Sequence, residues 1–318
     1  VSQSSATGPP YLQAVGCALT RKLEKNKHLI LENFFMKSFF KQIGFLYSLP
    51  VLFVLFATFA APLLVVIAYS FMPPKTFDFN HLPTLENFKY IISGSYYLSY
   101  MWSFFFAALT VIILLVICYP LAYAMAKIFG KWSNALTLLI VSPIFVSENI
   151  RLFGWLLFFI KVGVLLGFLK TYFGIEMESI MYTAPAILLG TVYVYLPFML
   201  FPLVLGISMI PDDLRSAASD LGASKFQIFK EVDIPLAMPG IVIGCLLTFV
   251  LSVGALAESK ILGGQTIILI ADDIETAFTY GQNWPRGSSI SVLLMGTIGL
   301  LVIYFLNKLN LDKIMGRR

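Results

Sequence analysis

Six stretches of this chain hold too few charges to fold anywhere but in lipid. They run approximately over 45–71, 101–126, 136–160, 184–210, 241–256 and 290–306. About twenty apolar residues cross the hydrocarbon core of a bilayer, so these runs predict six spans. The fifth is short unless it begins near Leu236. Lipid offers no partner for backbone N–H and C=O groups, so each span must satisfy its own as a helix. Proline lies within the first (Pro62), second (Pro120) and fourth (Pro197, Pro202) runs. Kinks of that kind are tolerated where neighbouring helices rescue the freed carbonyls. The third run is interrupted by Pro143, Glu148 and Arg151. The fold class that follows is an all-α membrane protein.

Charge supports the same reading. Only 12% of the 318 residues are charged while 58% are hydrophobic, against roughly a quarter charged in a soluble domain. The formal charge of +5 does not mark a nucleic-acid binder, because the basic residues cluster at the ends of apolar runs. With the N-terminus inside, fifteen of the 22 Lys and Arg fall on the cytoplasmic side and six on the other, with Arg151 in the membrane. Both termini are therefore expected in the cytoplasm.

The ends of the chain read differently from its middle. Val1 to Pro10 is polar and lacks the apolar core of a cleavable signal peptide. Over about 22–42, Leu29, Ile30, Phe34, Phe35, Phe39 and Phe40 mix with Lys25, Lys27, Lys37 and Lys41. That mixture suits an N-terminal interfacial helix, and equally a plain basic flank that enforces topology. The expected layout is a cytoplasmic extension over 1–43, a membrane domain over 44–310 and a basic tail over 311–318.

Catalytic chemistry finds little to work with. The two histidines, His28 and His81, lie outside the spans, and no zinc-protease or nucleophile-elbow pattern occurs. Cys17, Cys118 and Cys245 read as small hydrophobes and form neither a disulfide framework nor a metal site. No G-x-x-x-x-G-K-[ST] loop is present to hold ATP phosphates.

The segment 211–236 is the exception in an apolar chain. Pro211 suits the start of a helix, and Asp212 and Asp213 suit the positive end of its dipole. Leu214, Ala217, Ala218 and Leu221 continue that helix, and Gly222 follows as a left-handed cap. Ser224 can cap a second short helix with Phe226, Ile228 and Phe229, expected to end before Pro235. Apolar side chains on such a loop are costly to expose unless they pack on the bundle or on a partner.

This segment resembles the cytoplasmic loop of permease subunits in bacterial ABC importers, the binding-protein-dependent inner-membrane components. The family pattern is Glu-Ala-Ala, three residues, Gly, nine residues, then aliphatic, any residue, aliphatic, Pro. Here Ser216-Ala217-Ala218, Gly222 and Val232-Asp233-Ile234-Pro235 keep every spacing. Ser216 departs from the usual acidic residue, and Asp220 is the nearby carboxylate that can stand in for it. The runs YPLAYAMAK from Tyr119, SPIFVSENIRLFGW from Ser142, YLPFMLFPL from Tyr195, LGG from Leu262 and NWP from Asn283 are most similar to permeases of the spermidine/putrescine type. The resemblance implies a non-catalytic membrane subunit of the bacterial inner membrane and names polyamine as the solute. It also implies a cytoplasmic ABC ATPase dimer that binds the ATP and docks on the helix–Gly–helix coupling loop. That docking surface includes Ser216, Ala217, Ala218, Asp220, Gly222, Ala223, Phe226, Phe229 and Pro235. A second permease subunit, identical or homologous, and an extracytoplasmic solute-binding protein complete the assembly. A self-contained secondary transporter or channel is the alternative, and it would have no use for the docking loop.

Two charge groups are further candidates. Glu148 and Arg151, three residues apart in the third run, share a helical face and are expected to pair, as a packed structural pair or on the solute path. Glu258, Asp272, Asp273 and Glu275 lie at or beyond the outer end of the fifth run and read mainly as solvated loop charge, or else as charge that faces a binding protein or attracts a cationic solute.

Overall fold

A computed structural model describes residues 48–78, 80–161, 163–175 and 178–308. The expected interfacial helix over 22–42, the boundary at 43 and the tail over 311–318 lie outside the described residues. Among the described residues every regular element is helical. We number them α1 (Ser48–Ser70), α2 (Glu86–Ser93), α3 (Tyr96–Ile128), α4 (Trp132–Val141), α5 (Glu148–Phe159) and α6 (Val164–Phe173). Then follow α7 (Ala184–Ser208), α8 (Asp212–Asp220), α9 (Lys225–Val253), α10 (Ala257–Ile261), α11 (Ile270–Phe278) and α12 (Trp284–Lys308). Six stretches are long and apolar enough to cross a membrane: α1, α3, Glu148–Phe173 (α5 with α6), α7, α9 and α12.

The third crossing differs from expectation. The run 136–160 is not one helix, because Pro143 has no N–H to continue the ladder. Ser142–Phe145 tightens into a 3₁₀ turn and Val146 is extended at φ −94°, ψ 135°. The helix then restarts at Glu148 behind Ser147. The apolar stretch long enough to cross is therefore 148–173, itself interrupted where Ile160 turns extended. Glu148 consequently stands in the first turn of α5 and not in mid-span, where a carboxylate meets the positive end of the helix dipole.

The fifth crossing differs as well. The expected short helix ending before Pro235 is the first part of a 29-residue helix. A π turn over Phe229–Asp233 carries the chain past the proline. Pro235 falls at the start of the α-helical part that follows, where its missing N–H does least harm.

The core of the membrane body is the packing of α3, α7 and α9. Leu114, Cys118 and Ala122 from α3 meet Met199, Leu200, Leu203 and Ile207 from α7, with Ala237 from α9, and all eight are fully buried. Small residues let the backbones approach, as is common between membrane helices. A β-carbon placed on Gly240 would lie 2.8 Å from the Gly206 Cα and 2.4 Å from the Pro202 carbonyl oxygen. A hydroxyl pair, Thr110 with Thr191 at 2.8 Å, links α3 to α7 inside this core. α1 is an apolar helix whose Phe53, Phe56 and Phe59 are exposed.

Candidate functional site

The segment between α7 and α9 is built by local rules. Pro211 precedes α8, and Asp212 and Asp213 occupy its first turn. Its end is set by Gly222 at φ +84°, a left-handed conformation that costs a β-carbon but not glycine. The N–H of Leu221 donates to Ala217 O at 3.1 Å, and that of Ala223 to Ala218 O at 3.1 Å. These bonds satisfy carbonyls that the helix end would leave open. Beyond the turn, the Gln227 N–H donates to Ser224 Oγ at 3.3 Å and the Ser224 N–H to Gln227 Oε1 at 2.8 Å. That reciprocal capping box starts α9.

Three bonds brace the segment against the end of α3. Lys127 Nζ donates to Ile210 O at 2.6 Å and to Asp212 Oδ1 at 2.8 Å. That hydrogen bond and the ammonium charge hold the Asp212 carboxyl below the usual carboxylate range. Arg215 Nε lies 3.0 Å from Asp233 Oδ1, and Asp233 has 3% of its side chain exposed. The same guanidinium donates to the Tyr123 hydroxyl and sits over its ring at 5.1 Å. Phe229 meets the Tyr119 ring edge-on at 5.5 Å. Between these groups opens a cavity of about 790 Å³.

The sequence-expected residues divide into two sets. Ala218, Ala223 and Phe229 are partly covered, whereas Ser216, Ala217, Asp220, Gly222, Phe226 and Pro235 are exposed. Ser216 Oγ donates back to Asp212 O at 3.2 Å, an intrahelical bond of the kind a mid-helix serine makes. Leu221 is 88% exposed and Phe226 70% exposed, so the turn presents apolar side chains outward. Nothing in the sequence marks Lys127, Tyr123, Arg215 and Asp233 as partners of one another. Arg215 and Asp233 meet only because the turn at Gly222 folds α9 back past α8.

The second candidate is brought to one cleft but not into a pair. Among the described residues no ion pair joins Glu148 to Arg151, although both lie in α5. The Arg151 guanidinium lies 5.6 Å from the centroid of the Tyr193 ring, and its Nε has no hydrogen-bond partner. Both residues line a cleft of about 750 Å³ with Tyr195, Phe198, Lys260 and Glu275. Two of the charges after the fifth span are not solvated, Glu258 being fully buried and Asp272 4% exposed, while Asp273 and Glu275 are partly exposed. Asp272 accepts from Ser259 Oγ at 2.6 Å and from the Leu269 N–H at 2.9 Å. Burial pushes its carboxyl up despite those donors.

Relatives place this architecture. Residues 118–315 match the family described as binding-protein-dependent transport system inner membrane component. The chain is 35% identical over 285 residues to the spermidine/putrescine transport system permease protein PotB of Haemophilus influenzae, covering 88% of this chain and 96% of that protein. It is 34% identical over 246 residues to PotB of Escherichia coli, covering 77% and 90%. Its fold resembles that of a bacterial ABC transporter involved in the import of the acidic polysaccharide alginate, with TM-score 0.67, 14% identity and 85% and 96% of the two chains covered. A bacterial alginate ABC transporter in complex with an alginate pentasaccharide-bound periplasmic protein gives TM-score 0.63, 16% identity and coverage of 83% and 93%. With its six apolar crossings, its capped turn at Gly222 and this extent of identity, the chain belongs to the binding-protein-dependent transport system inner membrane components, multi-pass proteins of the inner membrane.

Proposed function

We propose that this chain is the permease half of an ATP-driven polyamine importer, and that the segment 211–236 is where a cytoplasmic ABC ATPase dimer pushes on it. The observation that carries the reading is the left-handed turn at Gly222, at the family's motif position, which presents Leu221 and Phe226 to solvent. Exposed apolar side chains on an otherwise polar segment are costly without a partner to cover them. The braces from Lys127 and Arg215 suit a lever, since they tie the turn to the ends of α3 and α9. The remaining parts of the proposal are both termini in the cytoplasm, a second permease subunit and an extracytoplasmic binding protein that delivers the solute. The polyamine assignment follows from the 34–35% identity to the two PotB proteins.

Gly222→Val tests the lever. A β-branched residue held at φ +84° costs on the order of 1–2 kcal/mol in backbone strain, and the open space around Gly222 leaves no clash to confuse the result. Expression and membrane insertion should stay near wild type, while capture of the ATPase falls or hydrolysis proceeds without uptake. Wild-type uptake in vesicles together with wild-type ATPase pull-down would remove the segment from the coupling role.

The isolated chain should neither bind nor hydrolyse ATP, because it offers no phosphate-cradling loop. Phosphate release above that of a mock purification is the contrary result.

A further inference from the structure

Glu258 is the least compensated charge in the membrane body. It sits in α10 with no exposed surface, its methylenes against Gly190 of α7. No hydrogen bond of ordinary geometry reaches either carboxylate oxygen; the Tyr195 hydroxyl is the polar neighbour within interaction range. Glu148 and Arg151 are the charges that act on it. Tyr195, Glu148 and Arg151 all line the cleft of about 750 Å³ between α5, α7 and α9, and Glu258, with no exposed surface, lies behind that lining.

The charges there do not balance. Lys260 is bound to Glu275. Arg151 can neutralise one of Glu148 and Glu258 and is in salt-bridge contact with neither. Without a cation of its own, one of the two acids is driven toward its protonated form. A carboxylate removed from water without a partner is strongly unfavourable, and ionisable groups at membrane depth face cavities and solute paths. The Tyr195 and Phe198 rings in the cleft lining suit a cation, which aromatic faces attract.

Building on the polyamine reading, we propose that Glu258 and Glu148 form an amine subsite in this cleft, where one ammonium group of the solute replaces the missing cation as it passes. Arg151 limits the site to a single ammonium by neutralising the other carboxylate. Tyr195 is a positioning residue between Glu258 and the open cleft.

The test uses the complete importer, reconstituted with its ATPase, second permease and binding protein, and radiolabelled spermidine and putrescine as probes. Uptake per ATP hydrolysed is the readout. Glu258→Gln keeps the shape and removes the charge, so uptake per ATP should fall about tenfold, the worth of one modest charge contact. Hydrolysis stimulated by the loaded binding protein should persist, and Glu258→Asp should recover part of the loss. A merely structural role would lower hydrolysis and uptake together and gain nothing from aspartate. Should Glu258→Gln fail to assemble, Glu148→Gln on the more open wall decides, with a loss of uptake per ATP in the same direction. Variants that match a wild-type importer active on polyamines overturn the subsite and leave the proposed function standing. A wild-type importer that takes up neither probe overturns the polyamine reading, and the subsite with it.

Discussion

Arg215→Gln should destabilise the α8–α9 end of the membrane body by about 3 kcal/mol, the lower end of the range for breaking a buried ion pair. Arg215 is itself partly exposed, with 28% of its side chain in contact with solvent, while Asp233 has 3%. The loss arises less from the missing bond than from the carboxylate left behind without a cation. The guanidinium also donates to Tyr123, so its removal frees both the turn and the end of α3. Neutralising the stranded group should repair most of the damage. Arg215→Gln with Asp233→Asn is therefore expected to be milder than Arg215→Gln alone. Thermal unfolding of the detergent-solubilised importer, with limited proteolysis of 211–225 beside it, measures both. Losses that simply add would show that the two charges do not depend on each other.

Gly240→Leu should cost more, and in a different place. The α7–α9 crossing brings backbone onto backbone, with the Pro202 carbonyl oxygen 2.4 Å from where a β-carbon would stand. Even alanine forces the helices apart, and overpacking of that kind costs about 1–3 kcal/mol. Leucine adds three more carbons to a site with no room for the first. The expected result is a large loss of monodisperse protein after extraction, with no selective effect on ATPase docking. Gly296 in α12 is the control, since nothing lies within 4 Å of a β-carbon there. Equal yield and equal melting temperature for Gly240→Leu and Gly296→Leu would rule out the close crossing.

The contrast between these glycines shows where sequence reasoning stops. Gly222 was legible because its role is local: a helix, a chain reversal and a capping serine lie within three residues of it. Gly240 and Gly296 both look like glycines in apolar helices, and only the neighbouring helix distinguishes them. The same limit governs the charges. Glu148 and Arg151 were expected to pair because three residues separate them, yet within the one helix Arg151 turns to the Tyr193 ring of α7. Glu258 and Asp272 read as loop charge because they follow an apolar run, whereas the chain after α9 folds back and buries them.

Hydropathy and one motif were enough to give the number of long apolar helices, the class of the protein and the position of the turn at Gly222. Each of these depends on free energies that a single segment carries with it: transfer into lipid, and the sterics of one residue at positive φ. Only the tertiary structure decided which helices touch, how Pro235 is absorbed into one long helix, and that Arg215 meets Asp233. The same holds for the burial of Glu258 behind the cleft lining without a cation of its own. Those outcomes are contacts between residues far apart in the chain. Their energies depend on distance and local dielectric, which no spacing in the sequence encodes.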